Sequence, residues 1–144
     1  MSKWYHGTRL CFAKNICDGG INVDKGGGEL GKGFYVGNRA YAAFAKAWHT
    51  CKLDKCNHLA VVEFDLSNFN YGNFKVFKWN REKAGNEWKS MRVKKETRNK
   101  VFNCDIIKAP LLGGRYWNCQ QMKFESICAQ SAINDTKQYK RRVL

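Results

Sequence analysis

Gly26-Gly27-Gly28-Glu29-Leu30-Gly31-Lys32-Gly33-Phe34-Tyr35-Val36 runs from a glycine-rich loop into a strand fragment. Two phosphate-binding readings of this stretch fail. A Walker A loop needs Ser or Thr after its Gly-Lys, and here Gly33 follows Lys32. A dinucleotide fingerprint such as Gly26-x-Gly28-x-x-Gly31 belongs between a strand and a helix, but these glycines precede the strand. The strands along the chain are too scattered for regular βαβ units, and the chain reads as an α+β domain. Composition alone makes residues 22–33 a mobile lid or a plain surface loop.

Reading outward, residues 3–6 form a short strand. Residues 10–18 form a helix with Leu10, Ala13 and Cys17 on one side, stopped by Gly19-Gly20. Asn38 is placed to cap a helix over 39–49, whose stripe is Ala40, Phe44, Ala47 and Trp48. A polar loop over 50–57 leads to Leu59-Ala60-Val61-Val62-Glu63-Phe64, a buried strand by its β-branched content. Phe74, Val76 and Lys78 alternate in another. Residues 80–100 are helix formers with a narrow apolar face of Ala84, Trp88, Met91 and Lys95. A strand over Cys104–Ile107 ends by Pro110 and Gly113-Gly114. Met122 and Phe124 share a face of a last strand, Ser126 caps a helix through Ile133, and the tail ends in Lys140-Arg141-Arg142.

The 144 residues fit one domain, 1–144. At 44% hydrophobic residues the chain can build a core, and no run approaches the roughly 18 apolar residues of a membrane span. The opening Met-Ser-Lys-Trp-Tyr-His lacks an apolar signal segment, so a cytoplasmic, non-membrane protein is expected. The seven cysteines are odd in number and irregular in spacing, which fits free thiols in a reducing compartment. His49-x-Cys51-x4-Cys56-x-His58 offers four soft ligands. Structural zinc sites space cysteines closer, and ligands two apart diverge on an extended chain. No metal is expected.

The net charge is +14. Residues 1–73 carry nine basic and six acidic side chains, and residues 74–144 carry seventeen and six, a net +11. Such a field favours polyanions without naming one; RNA, DNA, an acidic inhibitor and a dinucleotide all feel it. The bland reading is a solvated basic surface. Lys94, Lys95 and Arg98, with Trp79 and Trp117, are the candidates for gripping nucleic acid.

Six blocks occur in order: Tyr5-His6-Gly7-Thr8; Gly31-Lys32-Gly33-Phe34-Tyr35-Val36; Val62-Glu63-Phe64-Asp65; Phe74 to Arg98; Cys104-Asp105-Ile106-Ile107-Lys108-Ala109-Pro110; and Gln121-Met122-Lys123-Phe124-Glu125-Ser126. In order and spacing they resemble an uncharacterised bacterial family related to ADP-ribosyltransferases, over nearly the whole chain. The resemblance implies a split β-sandwich of two small sheets with flanking helices, as in the diphtheria-toxin and poly-ADP-ribose polymerase branch with its His, Tyr and Glu. It implies NAD as co-substrate. By that likeness His6 bonds a ribose hydroxyl, Gly7 bares its backbone to the nicotinamide amide, and Thr8 lies toward the adenosine. Tyr35 stacks on nicotinamide beside Phe34, and Arg9, with Lys32 or Arg39, holds the pyrophosphate. The family's third position falls on Gln121, which can bond a ribose but cannot act as a base. Glu125, four residues on, is the acidic candidate.

Two functions follow from the resemblance and the charge. One is an intracellular ADP-ribosyltransferase toxin or defence effector, modifying RNA or protein, with NAD hydrolysis as a variant. The other is a module of that fold that binds nucleic acid without turnover. An acidic antitoxin would match so basic a toxin.

Overall fold

A computed structural model describes residues 3–26, 28–53, 58–95, 102–113, 119–135 and 140–144, with the side chains of 50–53 and 140 outside the description. The elements are β1 (Lys3–Arg9), α1 (Leu10–Gly19), β2 (Phe34–Gly37), α2 (Ala40–Leu53), β3 (Leu59–Asp65), a 3-10 turn at Tyr71–Asn73, β4 (Val76–Lys78), α3 (Arg81–Val93), β5 (Ile106–Pro110), β6 (Gln120–Phe124), α4 (Ile127–Ile133) and β7 (Lys140–Val143). The fold is α+β. Among the described residues, no helix is long and apolar enough to cross a membrane.

The chain divides into two compact units. The first holds Met1–Ile21, Val36–Phe69 and Ile133–Leu144. Its strands are antiparallel. β1 pairs with β3 along its whole length, from Lys3↔Asp65 to Arg9↔Leu59, and with β2 at Tyr5↔Gly37. β7 pairs with the other edge of β3, from Val62↔Val143 to Asp65↔Lys140. Val61, Val62 and Phe64 are fully buried, as a strand covered on both faces requires. The basic tail is thus partly a strand, and its charges have internal uses. Arg142 bonds Glu63 at 2.9 Å, and Arg141 donates to the Cys17 carbonyl at 3.2 Å. An edge strand rich in charge resists pairing with other chains, which is why its composition hides it.

The second unit holds Asn22–Tyr35 and Asn70–Ala132. β4 runs parallel to β5, and β5 antiparallel to β6. Leu30, Tyr35, Ala84, Cys104, Ile107 and Ala109 form a core cluster. Asn80 caps α3 by accepting from the Lys83 amide at 2.8 Å, and Ser126 caps α4 through the Ala129 amide at 3.0 Å.

Several boundaries differ from those read in the sequence. β1 runs on to Arg9, and α2 runs through 50–53, expected as loop. It begins at Ala40, so Arg39 rather than Asn38 stands before it. α3 ends at Val93, and Lys95 adopts a φ of 57°, a left-handed backbone that stops a helix. Residues 96–100 lie outside the description. The strand expected over 104–107 is displaced to Ile106–Pro110. Residues 22–26 and 28–33 are no plain surface loop. Val23 and Leu30 are fully buried, and the Val23 amide donates to Gln130 Oε1 at 2.9 Å.

Candidate functional site

In the first unit, β1 carries His6, Gly7, Thr8 and Arg9. A Cβ on Gly7 would stand 2.0 Å from the Ala43 carbonyl oxygen and 3.2 Å from Ala47 Cβ. The α2 backbone therefore rests on bare strand there, a reason for glycine beyond any ligand. Strand alternation puts His6 and Thr8 on the face opposite Gly7; both are half-buried.

β1 ends at Arg9, which precedes α1 in an extended conformation (φ −79°, ψ 152°) and gives the helix no side-chain cap. Here lies a cavity of about 350 Å³, lined by Arg9, Leu10, Cys11, Lys14 and His58 with mostly carbon surface. The Leu10 amide donates to the His58 carbonyl at 3.1 Å, which closes one wall. The Arg9 guanidinium lies 5.5 Å from the Phe12 ring centroid. Carbon walls of this kind suit the face of a flat heterocycle, and Arg9 and Lys14 are the two cations among the lining residues.

In the second unit the candidate residues form a closed network. The Tyr35 hydroxyl accepts from the Leu30 amide at 3.0 Å and donates to the Gly31 carbonyl. Gly28 lies against its ring: a Cβ there would meet Cζ at 2.9 Å. Burial raises the phenol well above its ordinary pKa, so it stays protonated. Phe34 is buried beside it. Gln121 is also buried, and its Nε2 donates to Glu29 Oε1 at 3.0 Å and to the Pro110 carbonyl at 3.2 Å. Glu29 Oε1 accepts from the Leu112 amide at 2.9 Å as well.

Glu125 is 2% exposed. Its Oε1 meets Lys123 Nζ at 3.0 Å, and its Oε2 accepts from Cys104 Sγ at 3.2 Å. Lys123 has no exposed surface and also donates to the Leu30 carbonyl at 2.5 Å. Burial, with the Glu125 bond next, pushes the Cys104 thiol up to about 12. That thiol is no nucleophile near neutral pH.

No family model matches the chain. No curated protein matches it either.

β1 brings His6 to Arg9 onto one strand, and β6 with residues 28–35 brings Tyr35, Gln121 and Glu125 into one network in the other unit. Lys32 is half-buried in that second unit, while Arg39 is exposed beside α2 in the first. Of the nucleic-acid candidates, Lys94 and Lys95 are exposed after α3, Trp79 is half-buried, and Arg98 and Trp117 lie outside the description. Among the described residues no group of three or more metal-binding side chains occurs. Cys56 and the Cys51 side chain fall outside them, and His58 lines the cavity. Sequence reasoning missed Glu29, Lys14 and Lys123. Lys123 left one trace, a cation amid the apolar alternation of Met122 and Phe124; Glu29 and Lys14 left none.

Proposed function

We propose that the chain is an NAD-dependent ADP-ribosyltransferase of the split two-sheet, His-Tyr-Glu type. It moves ADP-ribose to a macromolecule, RNA before protein, as a cytoplasmic toxin or defence effector. The observation that carries this reading is the cavity where β1 ends. It follows directly on Tyr5-His6-Gly7-Thr8 and is lined by Arg9, Lys14 and His58. Adenine packs between the carbon walls, the basic side chains take the pyrophosphate, and His6 holds a ribose hydroxyl.

The chemistry asks little of such a site. The C1′–N bond of the nicotinamide ribose breaks, and its electron pair leaves with nicotinamide, now neutral. The cationic sugar is captured by an acceptor oxygen or nitrogen, which releases a proton. Orientation and shielding of the cation carry most of the effect. Gln121 accepts no proton at neutral pH, and Glu125 is engaged by Lys123 and Cys104. The released proton passes to water.

A second reading has its own support: a module of this fold that binds nucleic acid without turnover. The closed bonding of Glu125 and the amide at position 121 favour it. NAD labelled in its adenylate phosphate, incubated with the protein and total RNA or total protein, separates the readings. The transferase releases nicotinamide and labels one pool, and His6→Ala lowers release by about a hundredfold while the fold persists by circular dichroism. Nicotinamide without labelled macromolecule makes the chain an NAD hydrolase. Salt-sensitive RNA binding without nicotinamide makes it a binding module. An acidic antitoxin would then be sought by co-purification.

A further inference from the structure

β4 stands at the end of the β4-β5-β6 order in the second unit. It is three residues long, and Trp79 follows it in register, its amide donating to the Lys108 carbonyl at 2.8 Å. In an extended chain, side chains two apart share a face. Lys75, Phe77 and Trp79 therefore form a row, and the first turn of α3 adds Lys83 at its far end. Lys75 Nζ lies 5.4 Å from the Phe77 centroid. The Phe77 and Trp79 rings stack with centroids 6.1 Å apart and planes 20° from parallel. Lys83 Nζ lies 5.6 Å from the Trp79 centroid. The order along the edge is cation, ring, ring, cation.

Two properties set this row apart from an ordinary core margin. It is rigid, because both rings pack on the Tyr35 cluster and Trp79 meets the Phe102 ring edge-on at 4.8 Å. It is also accessible: both rings are half-buried and both lysines exposed. Lys83 pairs with Glu87 at 2.7 Å, an exposed ion pair of the kind that contributes little and yields readily to another anion.

We propose that the row Lys75–Phe77–Trp79–Lys83 docks a single strand of nucleic acid, whose phosphates draw the two exposed ammonium groups off the outer ring faces and whose bases stack on the faces so uncovered. Stacking on aromatic side chains inside a positive field is how single strands are held without sequence preference. The second unit supplies that field: residues 22–35 and 70–132 carry fifteen basic and seven acidic side chains, a net +8. A duplex keeps its base faces covered and cannot use the rings. An acidic peptide would satisfy the lysines and leave the rings idle. The proposal deepens the reading above by giving the RNA acceptor a place to dock and rests on it only for that role; the binding itself needs no NAD.

The test is the anisotropy of a fluorescein-labelled twelve-residue oligouridylate titrated with the full chain, without NAD, across a range of salt. The strand binds, and Lys75→Gln with Lys83→Gln weakens it about tenfold and lowers the salt slope by about 1.4, two single-strand phosphate contacts. Phe77→Leu weakens binding about tenfold with the slope unchanged. Lys89→Gln, at an exposed lysine off the row, changes affinity by far less. If Phe77→Leu fails to fold, the lysine pair still decides. Absence of strand binding, equal affinity in the lysine pair and Lys89→Gln, or a duplex bound as tightly as the strand overturns the proposal. Nicotinamide release, measured without nucleic acid, reports on the enzymatic reading separately.

Discussion

β1 and β6 use their polar side chains in opposite ways. β1 runs from Lys3 to Arg9 and ends at a cavity with Arg9, Lys14 and His58 around it. β6 runs from Gln120 to Phe124 and ends in a closed set of bonds among Lys123, Glu125, Cys104 and the Leu30 carbonyl. The first arrangement has room for a ligand. The second has satisfied its own polar groups, as buried ones must be. Polar side chains of one chain can thus line open space beside one strand and satisfy one another beside another. The difference makes stability the readout for β6 and ligand affinity the readout for β1.

The largest effect is expected at Glu125. Glu125→Ala leaves the Lys123 ammonium buried without its carboxylate, and loss of one partner of a buried pair costs about 3–5 kcal/mol. Urea unfolding measures this, and a change below about 1 kcal/mol would mean the network is loose. Tyr35→Phe ranks next. It leaves the Leu30 amide without its acceptor, a loss of about 1–3 kcal/mol. A Tyr35→Phe protein of wild-type stability with impaired NAD turnover would instead move the phenol into the chemistry.

Arg9→Ala sharpens the contrast from the other side. NAD affinity falls about tenfold, about 1.4 kcal/mol, with the urea midpoint nearly constant. Calorimetric titration measures the first quantity. Smallest is an effect of pH. The folded chain holds the Cys104 proton up to about 12, against 9.0 for an unburied thiol, and the Tyr35 phenol is raised as well. Unfolding releases protons above the unfolded pKa, so stability is full below about pH 9 and declines as pH rises toward 12. Cys104→Ala should flatten that decline. Urea midpoints at about pH 8 and about pH 10, compared between wild type and variant, check it.

Much of the frame was legible. β3 announced itself through Val61, Val62 and Phe64, and Ser126 signalled α4 by its hydroxyl. The α+β class followed from strands too scattered for crossover units. β7 was not legible, because Arg141 and Arg142 earn their strand positions through partners distant in sequence, the Cys17 carbonyl and Glu63. The packing of residues 22–26 and 28–33 was hidden for a related reason. Gly28 reads as flexibility until the Tyr35 ring is seen against it. At the candidate site, His6 and Arg9 stood out through the opening block. Lys14 reaches the cavity from α1 and His58 from the residue before β3, a convergence that only tertiary structure reveals. Glu29 meets Gln121 across 92 residues of chain, beyond any local pattern.

The most direct measurement is a titration of isotope-labelled protein with NAD, followed by the backbone amide resonances. The account predicts that the amides of Arg9, Leu10, Cys11, Lys14 and His58 shift together with one saturation curve, and that Arg9→Ala weakens it. Saturating NAD that leaves these five resonances unmoved would contradict it.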